Sequence, residues 1–405
     1  MRILFVSQHY PPVVNGFAVQ CADTARGLQE RGHAICILSG KDEAAGPKDN
    51  AGVLRLLEVS PTENFKSLHP AYLIRQLRRR RIFDSNARIA LESARDFSPD
   101  IVFVWQFNAL GFGILREFQQ LSVPIVLNVA DAVLCDVMLL LREDPHPIWR
   151  VARRYLYGVR FEEVRFTHLI MPSEELKSYY KLRGFDERKM TLVHNGIDSR
   201  YIKASPPPLG PGNRLLYAGR IHPQKGLDTA IEALSLLNAR TEESYTLDVI
   251  GEGSLEYLRK LEKRVRLLGL EGLVRFLGPR TRDLLIRLYA GYDILVFPSV
   301  YLEPFGLTLV EAMSQGICVV ASNRGGPREI IRHMQDGLLV EPGSPAALAG
   351  AVRLLAGNPA LRAEIAAKGL QRVKDCFTLE KHVLNTEAVL RGALTTAERG
   401  TEGAR

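Results

Sequence analysis

The chain has 405 residues, of which 46% are hydrophobic and 24% are charged, and it carries a formal net charge of +8. This composition is typical of a globular protein, and the length favours two domains because a single hydrophobic core seldom grows beyond about 250–300 residues. No run approaches the ~18 uninterrupted apolar residues of a membrane-spanning helix, so the pattern argues against a transmembrane protein.

Two further features predict a cytoplasmic protein. The apolar run at residues 1–6 is too short for a secretory signal and lacks a small-residue cleavage site. The five cysteines are scattered and form no C-x-x-C pair, which argues against a disulfide framework and against a zinc site.

In chain order, short β-rich runs alternate with amphipathic segments, and this alternation predicts parallel sheets with helices on both faces. The first series of predicted strands lies at residues 2–6, 34–38, 101–104, 125–128, 169–171 and 191–193. The second series lies at residues 214–218, 247–250, 274–277, 294–297, 318–321 and 338–340. The predicted fold class is therefore α/β, with two Rossmann-like, doubly wound domains.

A stiff segment, Ser-Pro-Pro-Pro-Leu-Gly-Pro-Gly at residues 205–212, separates the two series and suits an interdomain linker. We therefore predict an N-terminal domain over residues 1–204 and a C-terminal domain over residues 213–378, followed by a helix at 379–394. Residues 395–405 have the pattern of a frayed, flexible tail.

The most informative segment is Pro-Ser-Val-Tyr-Leu-Glu-Pro-Phe-Gly-Leu-Thr-Leu-Val-Glu at residues 298–311, directly after a predicted strand. It places Glu303 and Glu311 on either side of a helix start that is opened by Gly306. Glycine lets a ligand approach the backbone closely, and the first amides of a helix can bind an anion. The combination suits an anionic, hydroxyl-rich ligand such as a nucleotide sugar. The alternative is that both glutamates are solvated carboxylates favoured by the helix dipole.

This Glu-x7-Glu spacing resembles the signature of glycosyltransferase family 4, the retaining glycosyl transferases group 1. The resemblance implies the GT-B fold, in which two Rossmann-like domains face each other across a donor and acceptor cleft, with the last helix returning to the first domain. It also implies that Glu303 faces the donor sugar as a catalytic residue and that Glu311 holds the ribose hydroxyls. The adjoining donor-binding residues are then Phe305, Gly306, Leu307 and Thr308, with the last two offering amides to the diphosphate.

A second motif follows the predicted strand at 214–218 and reads Gly219-Arg220-Ile221-His222-Pro223-Gln224-Lys225. The family carries an arginine and a lysine at this spacing, which implies that Arg220 and Lys225 stabilise the leaving diphosphate in place of a metal. Gly219 belongs to the same donor-binding turn, and Arg280 stands where relatives contact the nucleobase. The alternative is that the two cations are solvated residues of a surface loop.

In the first domain, Gly16 opens a predicted helix and matches a glycine that relatives place at the donor diphosphate. After the strand that ends at Asn128, many relatives carry a histidine directly before an aspartate, but this chain has Ala130 before Asp131. We therefore assign the catalytic role to Asp131, with Asn128 as a candidate donor contact. The alternative is that Asp131 only caps the following helix.

Residues 194–198 resemble the family's H-N-G-[IV]-D element, which lies near the nucleotide. Asn195 and Gly196 are therefore candidate donor or cleft residues. The alternative is a tight Asn-Gly turn that merely ends a strand.

The resemblance implies a retaining glycosyltransferase, expected to be a hexosyltransferase, that moves sugar from a nucleotide-diphosphate sugar to a hydroxyl acceptor in polysaccharide, glycolipid or other glycoconjugate biosynthesis. No D-x-D motif stands in a metal-binding context, so we expect no metal and no cofactor. Two alternatives stay open. One is a non-catalytic partner that binds nucleotide sugars, which Ala130 favours; the other is a sugar-nucleotide 2-epimerase.

A run of four arginines, Arg78, Arg79, Arg80 and Arg81, is interleaved with apolar residues. It predicts a basic amphipathic surface that contacts a lipid-linked acceptor or the inner face of an anionic membrane. A solvated helix face is the equally weighted alternative. Nucleic-acid binding is not expected, because no nucleic-acid-binding motif accompanies the arginines.

Overall fold

A parallel sheet organises the first half of the chain in the computed structural model, which describes residues 1–12, 16–42, 52–60, 70–129, 131–143, 157, 159–239 and 244–402. Its strands lie in the order β3-β2-β1-β4-β5-β6-β7. Their bounds are β1 Arg2–Ser7, β2 Ala34–Gly40, β3 Val53–Leu57, β4 Ile101–Val104, β5 Ile125–Asn128, β6 His168–Met171 and β7 Met190–Leu192. The helices of this half are Gly16–Glu30, Pro70–Phe97, Gly113–Phe118, Val133–Glu143 and Glu174–Lys181.

Strand β3 was not predicted from the sequence. It has only five residues, and the charged Arg55 at its centre interrupts the apolar run. Arg55 is nonetheless buried, and its guanidinium donates a hydrogen bond to the carbonyl of Pro11. A charged residue that finds a backbone partner can therefore be buried in a strand, even the edge strand β3, which a hydrophobicity pattern does not reveal.

A second parallel sheet follows, with strands in the order β10-β9-β8-β11-β12-β13. Their bounds are β8 Arg214–Ala218, β9 Thr246–Ile250, β10 Val274–Gly278, β11 Ile294–Phe297, β12 Cys318–Ser322 and β13 Leu338–Val340. The helices are Leu227–Asn238, Leu255–Leu267, Arg282–Tyr289, Leu307–Ser314, Pro327–Ile330, Pro345–Ala356, Pro359–Cys376 and the C-terminal Leu379–Glu402.

Local sequence explains where several of these helices begin. The side chains of Ser254, Ser344 and Asn358 each accept a hydrogen bond from a backbone amide in the first turn of the helix that follows. Proline at the first helical position of Pro345–Ala356 and Pro359–Cys376 has no amide that needs a partner there. In the second sheet, buried side chains cover both faces, as expected for parallel strands packed between helices.

The chain divides into two units. The first comprises Met1–Pro172, Leu176–Val193 and His382–Arg405, and the second comprises Ser173–Glu175 and His194–Lys381. The C-terminal helix thus enters the first unit at His382, whose Nε2 lies 3.0 Å from Oγ1 of Thr24. Residues 205–212, expected to link the domains, lie within the second unit, where the Gly212 amide donates to the carboxylate of Asp293 at 3.0 Å. None of the helices in the described ranges is long and apolar enough to cross a membrane.

Each sheet has a point where the strand order reverses, between β1 and β4 in the first unit and between β8 and β11 in the second. In open parallel sheets of this kind, ligands bind beyond the carboxyl ends of the strands at such a switch point. The loops after β8 and β11 are therefore the first place to look for a site in the second unit.

Candidate active site

The segment after β11 carries two buried carboxylates. Glu303 and Glu311 are each 8% exposed, although glutamate is normally a surface residue. Between them, Gly306 has φ of 120°, a conformation that favours glycine, and the helix Leu307–Ser314 begins directly after it. The first amides of this helix have no acceptor within it and carry the positive end of the helix dipole. The segment thus combines two fixed carboxylates with a helix start suited to an anion.

Glu303 is held by residues from two neighbouring loops. Nζ of Lys225, in the loop after β8, lies 2.6 Å from Oε1 and 2.7 Å from Oε2 of Glu303. The hydroxyl of Ser299 donates to Oε2 at 3.1 Å. Strands β8 and β11 are adjacent in the sheet, so the ends of both strands bring the cation and the carboxylate together. The sequence did not predict this ion pair, and the roles assigned to Lys225 and Glu303 stay predictions.

Glu311 has its own partners, and they are different ones. Nε of Arg282 lies 3.0 Å from Oε1, and the hydroxyl of Tyr289 donates to Oε2 at 3.5 Å. Burial and the Glu311 carboxylate raise the pKa of Tyr289 well above its ordinary value. The phenol therefore stays protonated and keeps its proton available for Glu311. Glu311, in the second turn of the helix, can thus remain buried because two donors compensate its charge.

Arg282 and Ser299 were not identified from the sequence. Arg282 lies outside the quoted motifs, and Ser299 lies within the segment 298–311 but was given no role there. An arginine at the start of a helix or a serine after a strand is common in any α/β protein. The only signal is position. Arg282 begins a helix two residues after Arg280, and Ser299 is the second residue after β11, which ends at Phe297.

Two glycines hold the Glu303 segment from the other side. A Cβ on Gly325 would come within 2.3 Å of the carbonyl oxygen and 2.6 Å of the amide nitrogen of Glu303. A Cβ on Gly326 would lie 2.2 Å from the carbonyl oxygen of Phe305. The Gly326 amide also donates to the Glu303 carbonyl at 2.7 Å. The loop after β12 therefore packs backbone against backbone on the candidate site, which only glycine allows.

Gly219 has a similar packing role. Its amide donates to the Ile250 carbonyl at 2.9 Å, and a Cβ on Gly251 would lie 1.8 Å from the Gly219 carbonyl oxygen. The Gly251-Glu252-Gly253 sequence is thus explained by close packing of the loops after β8 and β9. The role of Gly219 in binding a donor stays a prediction.

The other two predicted cations are exposed. The side chain of Arg220 makes no hydrogen bond or ion pair with any residue that the structure describes, while its carbonyl accepts from the hydroxyl of Tyr217 at 2.8 Å. Arg280 is also exposed and donates to the adjacent Pro279 carbonyl at 2.9 Å. Both guanidinium groups are therefore accessible to a ligand.

In the first unit, Gly16 is the first residue of the helix Gly16–Glu30, as the sequence predicted. Asn128 ends β5 and is buried, and it lines a cavity of about 20 Å³ together with Asp131. Oδ1 of Asp131 accepts a hydrogen bond from the Val133 amide at 2.8 Å, at the start of the next helix. This contact is the one that the capping alternative requires. Ala130 lies outside the described residues.

The turn at Asn195 and Gly196 packs against the backbone of Thr378. A Cβ on Gly196 would lie 2.3 Å from the Thr378 carbonyl oxygen, and Ile197 forms a parallel bridge with Thr378. Asn195 is buried. The glycine is thus required for chain packing within the second unit, and contact with a nucleotide stays a prediction.

The arginine run does not form one exposed face. Arg79 is buried, with its guanidinium 4.9 Å from the centre of the Phe83 ring, so the expectation that it is part of a surface is wrong. Nε of Arg80 lies 2.8 Å from the carboxylate of Asp84. Arg78 and Arg81 are exposed and, three residues apart on the helix Pro70–Phe97, lie on the same face.

The sequence is similar to those of known protein families and of individual relatives. The family described as "Glycosyl transferases group 1" matches residues 200–372, and "Glycosyltransferase Family 4" matches residues 14–201. Glycogen synthase of Mycobacterium tuberculosis is 29% identical over 394 residues, which cover 93% of this chain and 91% of that protein. D-inositol 3-phosphate glycosyltransferase of Geodermatophilus obscurus is 33% identical over 224 residues, or 49% of each chain.

Solved structures agree on the fold. Anabaena HepE in complex with UDP has a TM-score of 0.71 at 21% identity and covers 97% of this chain and 100% of its own. Sucrose-phosphate synthase from Thermosynechococcus elongatus has a TM-score of 0.74 at 18% identity and covers 98% and 99%. The two Rossmann-like units and these likenesses confirm the predicted GT-B fold class. The two family matches together span residues 14–372. With the fold, these matches show that the chain belongs to glycosyltransferase family 4 and is a glycosyltransferase.

Proposed function

We propose that the protein transfers a glycosyl group, expected to be a hexosyl group, from a nucleotide-diphosphate sugar to a hydroxyl acceptor, with retention of anomeric configuration and without a metal. The observation that carries the proposal is the ion pair of Lys225 with Glu303, beside a glycine-opened helix start. Among the likenesses, HepE was solved with UDP, and the relatives are named glycogen synthase and D-inositol 3-phosphate glycosyltransferase. These names support a nucleotide-sugar donor for this chain.

The chemistry follows from where charge develops. The leaving diphosphate gains negative charge as the glycosidic bond breaks, and Lys225 and Arg220 stabilise it, each charged hydrogen bond contributing about 1.5–3 kcal/mol. The first amides of the helix Leu307–Ser314 add further donors. A phosphate oxygen accepts the proton of the acceptor hydroxyl on the same face of the sugar, so retention needs no enzymatic nucleophile.

The two glutamates then have different tasks. Glu303 is fixed by Lys225 and Ser299 and faces the donor sugar, where its carboxylate positions hydroxyl groups. Glu311 is fixed by Arg282 and binds the ribose hydroxyls. Because these carboxylates are already held in place, the protein does not lose their rotamer freedom when the donor binds.

Calorimetric titration with UDP-, GDP- and ADP-sugars in the presence of EDTA tests the proposal, followed by NMR of the product's anomeric configuration. We expect one nucleotide to bind in EDTA, binding to be lost in Glu311→Ala, and the product to keep the donor configuration. Inversion of configuration, or turnover that EDTA abolishes, would contradict the mechanism.

One observation favours a second candidate, a non-catalytic partner that binds nucleotide sugars. The carboxylate of Asp131 already accepts a hydrogen bond from the start of the next helix, which is a structural use of that side chain. If donor binds but neither transfer nor hydrolysis occurs with polysaccharide, glycolipid and simple alcohol acceptors, this second candidate is correct.

A further inference from the structure

The first unit contains a pocket at the edge of its sheet opposite to the candidate residues Asn128 and Asp131. It lies around the amino end of β6, which begins at His168, two residues after Phe166 and three after Arg165. The end of the helix Val133–Glu143 and the loop at residues 183–189 form its other walls. Because β5 and β6 are parallel neighbours, the carboxyl end of β5 and the amino end of β6 are at opposite edges. The pocket is therefore separate from any site at the carboxyl edge.

The pocket has the size and lining of a small-molecule site. Its volume is about 390 Å³, which falls in the range of ligand pockets in proteins. Apolar side chains supply most of the wall, namely Met138, Leu139, Val164, Phe166, Leu169 and Phe185. The rings of Phe166 and Phe185 are parallel to within 12°, with centroids 6.3 Å apart.

The rim of the pocket is positively charged. Its cations are Arg142, Arg165, Arg183 and Lys189, and its carboxylate is Asp186. Asp186 is already paired with Arg188, whose Nε and Nη2 each lie 3.0 Å from it. The adjacent Glu187 is paired with Lys181 at 2.5 Å. Asp186 and Glu187 are thus paired with cations that do not line the pocket, and the residues that line it carry four cations and one carboxylate.

Two of the arginines are placed by the walls. The guanidinium nitrogens of Arg142 lie 3.7 and 3.9 Å from the position of a Cβ on Gly184, which brings this side chain across to the opposite wall. The guanidinium of Arg183 lies 3.4 Å from the centre of the Tyr179 ring and donates to the Tyr179 carbonyl at 3.1 Å. Arginine in such a fixed position suits an anion with several oxygens, such as a phosphate group.

We propose that this pocket binds a molecule with an apolar chain that ends in a phosphate group. The chain would occupy the Phe166 and Leu139 side, and the phosphate would contact the basic rim. A wholly apolar ligand makes no use of the basic rim, and inorganic phosphate leaves the apolar wall exposed. The proposal concerns a site outside the glycosyl-transfer machinery and does not depend on the function proposed above.

Calorimetric titration of the full chain with decyl phosphate, below its critical micelle concentration, tests the proposal. We expect saturable binding with one molecule per chain, at least tenfold tighter than decanol and at least tenfold tighter than inorganic phosphate. Equal affinity for decanol, equal affinity for inorganic phosphate, or no binding of decyl phosphate would each overturn it.

Variants locate the site. Arg165→Gln with Lys189→Gln removes two exposed rim cations and should weaken decyl phosphate binding at least tenfold. Arg259→Gln with Arg266→Gln removes the same charge from exposed positions on the helix Leu255–Leu267 and should leave binding within twofold. Equal weakening by both pairs would show general charge attraction and overturn the site.

A second variant tests the apolar wall. Leu139→Trp fills the pocket from its half-buried side and should abolish decyl phosphate binding while the far-ultraviolet circular dichroism stays unchanged. In the wild type, the methyl resonance of Met138 should shift on titration, and a uridine nucleotide should neither compete with decyl phosphate nor shift that methyl. Unchanged binding in Leu139→Trp would overturn the location.

Discussion

Lys225 and Glu303 form a bidentate ion pair, with Nζ 2.6 and 2.7 Å from the two carboxylate oxygens and both side chains largely shielded from water. The pair joins the loops that follow β8 and β11. A charge in such a position depends on its partner, because an unpaired buried carboxylate is strongly destabilising. Lys225 is therefore both part of the fold and a candidate catalytic cation, whereas Arg220 is exposed and has only the second role.

This difference gives the first prediction. Lys225→Met should lower kcat about 10²–10³-fold because a stabiliser of the leaving group is lost, and should also lower the free energy of unfolding by about 3–5 kcal/mol. Arg220→Gln should reduce kcat by a similar factor but change the free energy of unfolding by no more than about 0.5 kcal/mol. Urea unfolding and steady-state kinetics measure both. Equal stability losses in the two variants would show that Lys225 and Glu303 are not coupled in solution.

The second prediction concerns Arg282, which holds Glu311. Arg282→Gln removes the charged partner at 3.0 Å and lets the carboxylate reorient. We expect KM for the donor to rise about 10–100-fold, consistent with one lost charged hydrogen bond of about 1.5–3 kcal/mol, while kcat changes little. Arg287→Gln, an exposed position about one and a half turns further along the same helix, is the control. A fall in kcat without a change in KM would show that Glu311 acts in the chemical step instead.

The sequence predicted those residues of this site that belong to short local motifs. Glu303 and Glu311 are separated by a fixed number of residues, and Arg220 and Lys225 belong to one turn after a strand. Arg282 and Ser299 could not be found in the same way, because their importance depends on which side chains the fold brings beside them. Arg282 and Glu311 are 29 residues apart in the sequence, and no local sequence pattern indicates that their side chains are in contact.

Contacts between residues that are distant in sequence also explain why the predicted linker lies within the second unit. The Pro/Gly-rich run at residues 205–212 has the composition of a linker, yet it is tied into the second unit through Asp293 and Arg362. Asp293 precedes β11 and is 81 residues from the glycine that it binds. Composition predicts a stiff segment but carries no information on long-range hydrogen bonds.

A third prediction tests the packing of the loop after β12. Gly325→Ala places a Cβ 2.3 Å from the Glu303 carbonyl oxygen, so the Glu303 backbone must move and activity should fall at least tenfold. Gly272→Ala is the matched control, because Gly272 also has positive φ, at 81°, but no atom lies within 4 Å of its added Cβ. Both variants should lose about 1–2 kcal/mol of stability from backbone strain. Full activity in Gly325→Ala would mean that the position of Glu303 is not critical.

A fourth prediction concerns the two exposed arginines of the arginine run, Arg78 and Arg81. Arg78→Gln with Arg81→Gln should reduce flotation with vesicles that contain anionic phospholipid, because each cation near the headgroups contributes about 1 kcal/mol. Arg259→Gln with Arg266→Gln removes the same charge from exposed positions of the helix Leu255–Leu267 and serves as the control. If the two double variants float with the vesicles equally well, the arginine run is a solvated helix face.

The fifth prediction concerns the anchor of the C-terminal helix in the first unit. Glu387 is buried and accepts hydrogen bonds from Arg31 and from Arg391, and its other contact is His33 at 3.0 Å. Although burial alone would raise the pKa of this carboxyl, these partners together lower it from 4.5 to about 2.

The sign of the effect on stability follows from that shift. The ionised form is favoured in the folded state, so the contribution of Glu387 is fully present above its unfolded pKa and is lost as pH falls from about 4.5 toward 2. Glu387→Gln should lower the free energy of unfolding at pH 7 by about 3 kcal/mol or more, as expected when one partner of a buried ion pair is removed. Its loss of stability between pH 5 and pH 2.5 should then be smaller than that of the wild type.

The control for this pH dependence is Glu364→Gln, which removes an exposed carboxylate paired with Lys368 on the helix Pro359–Cys376. An exposed pair of this kind contributes about 0–1 kcal/mol, so its stability curve should follow the wild type at every pH. Thermal unfolding at half-unit pH intervals compares the three proteins. If Glu387→Gln also runs parallel to the wild type, the carboxyl titrates at its ordinary pKa in the folded protein, and the C-terminal helix is held by its apolar contacts, such as that of Val383 with Gly27.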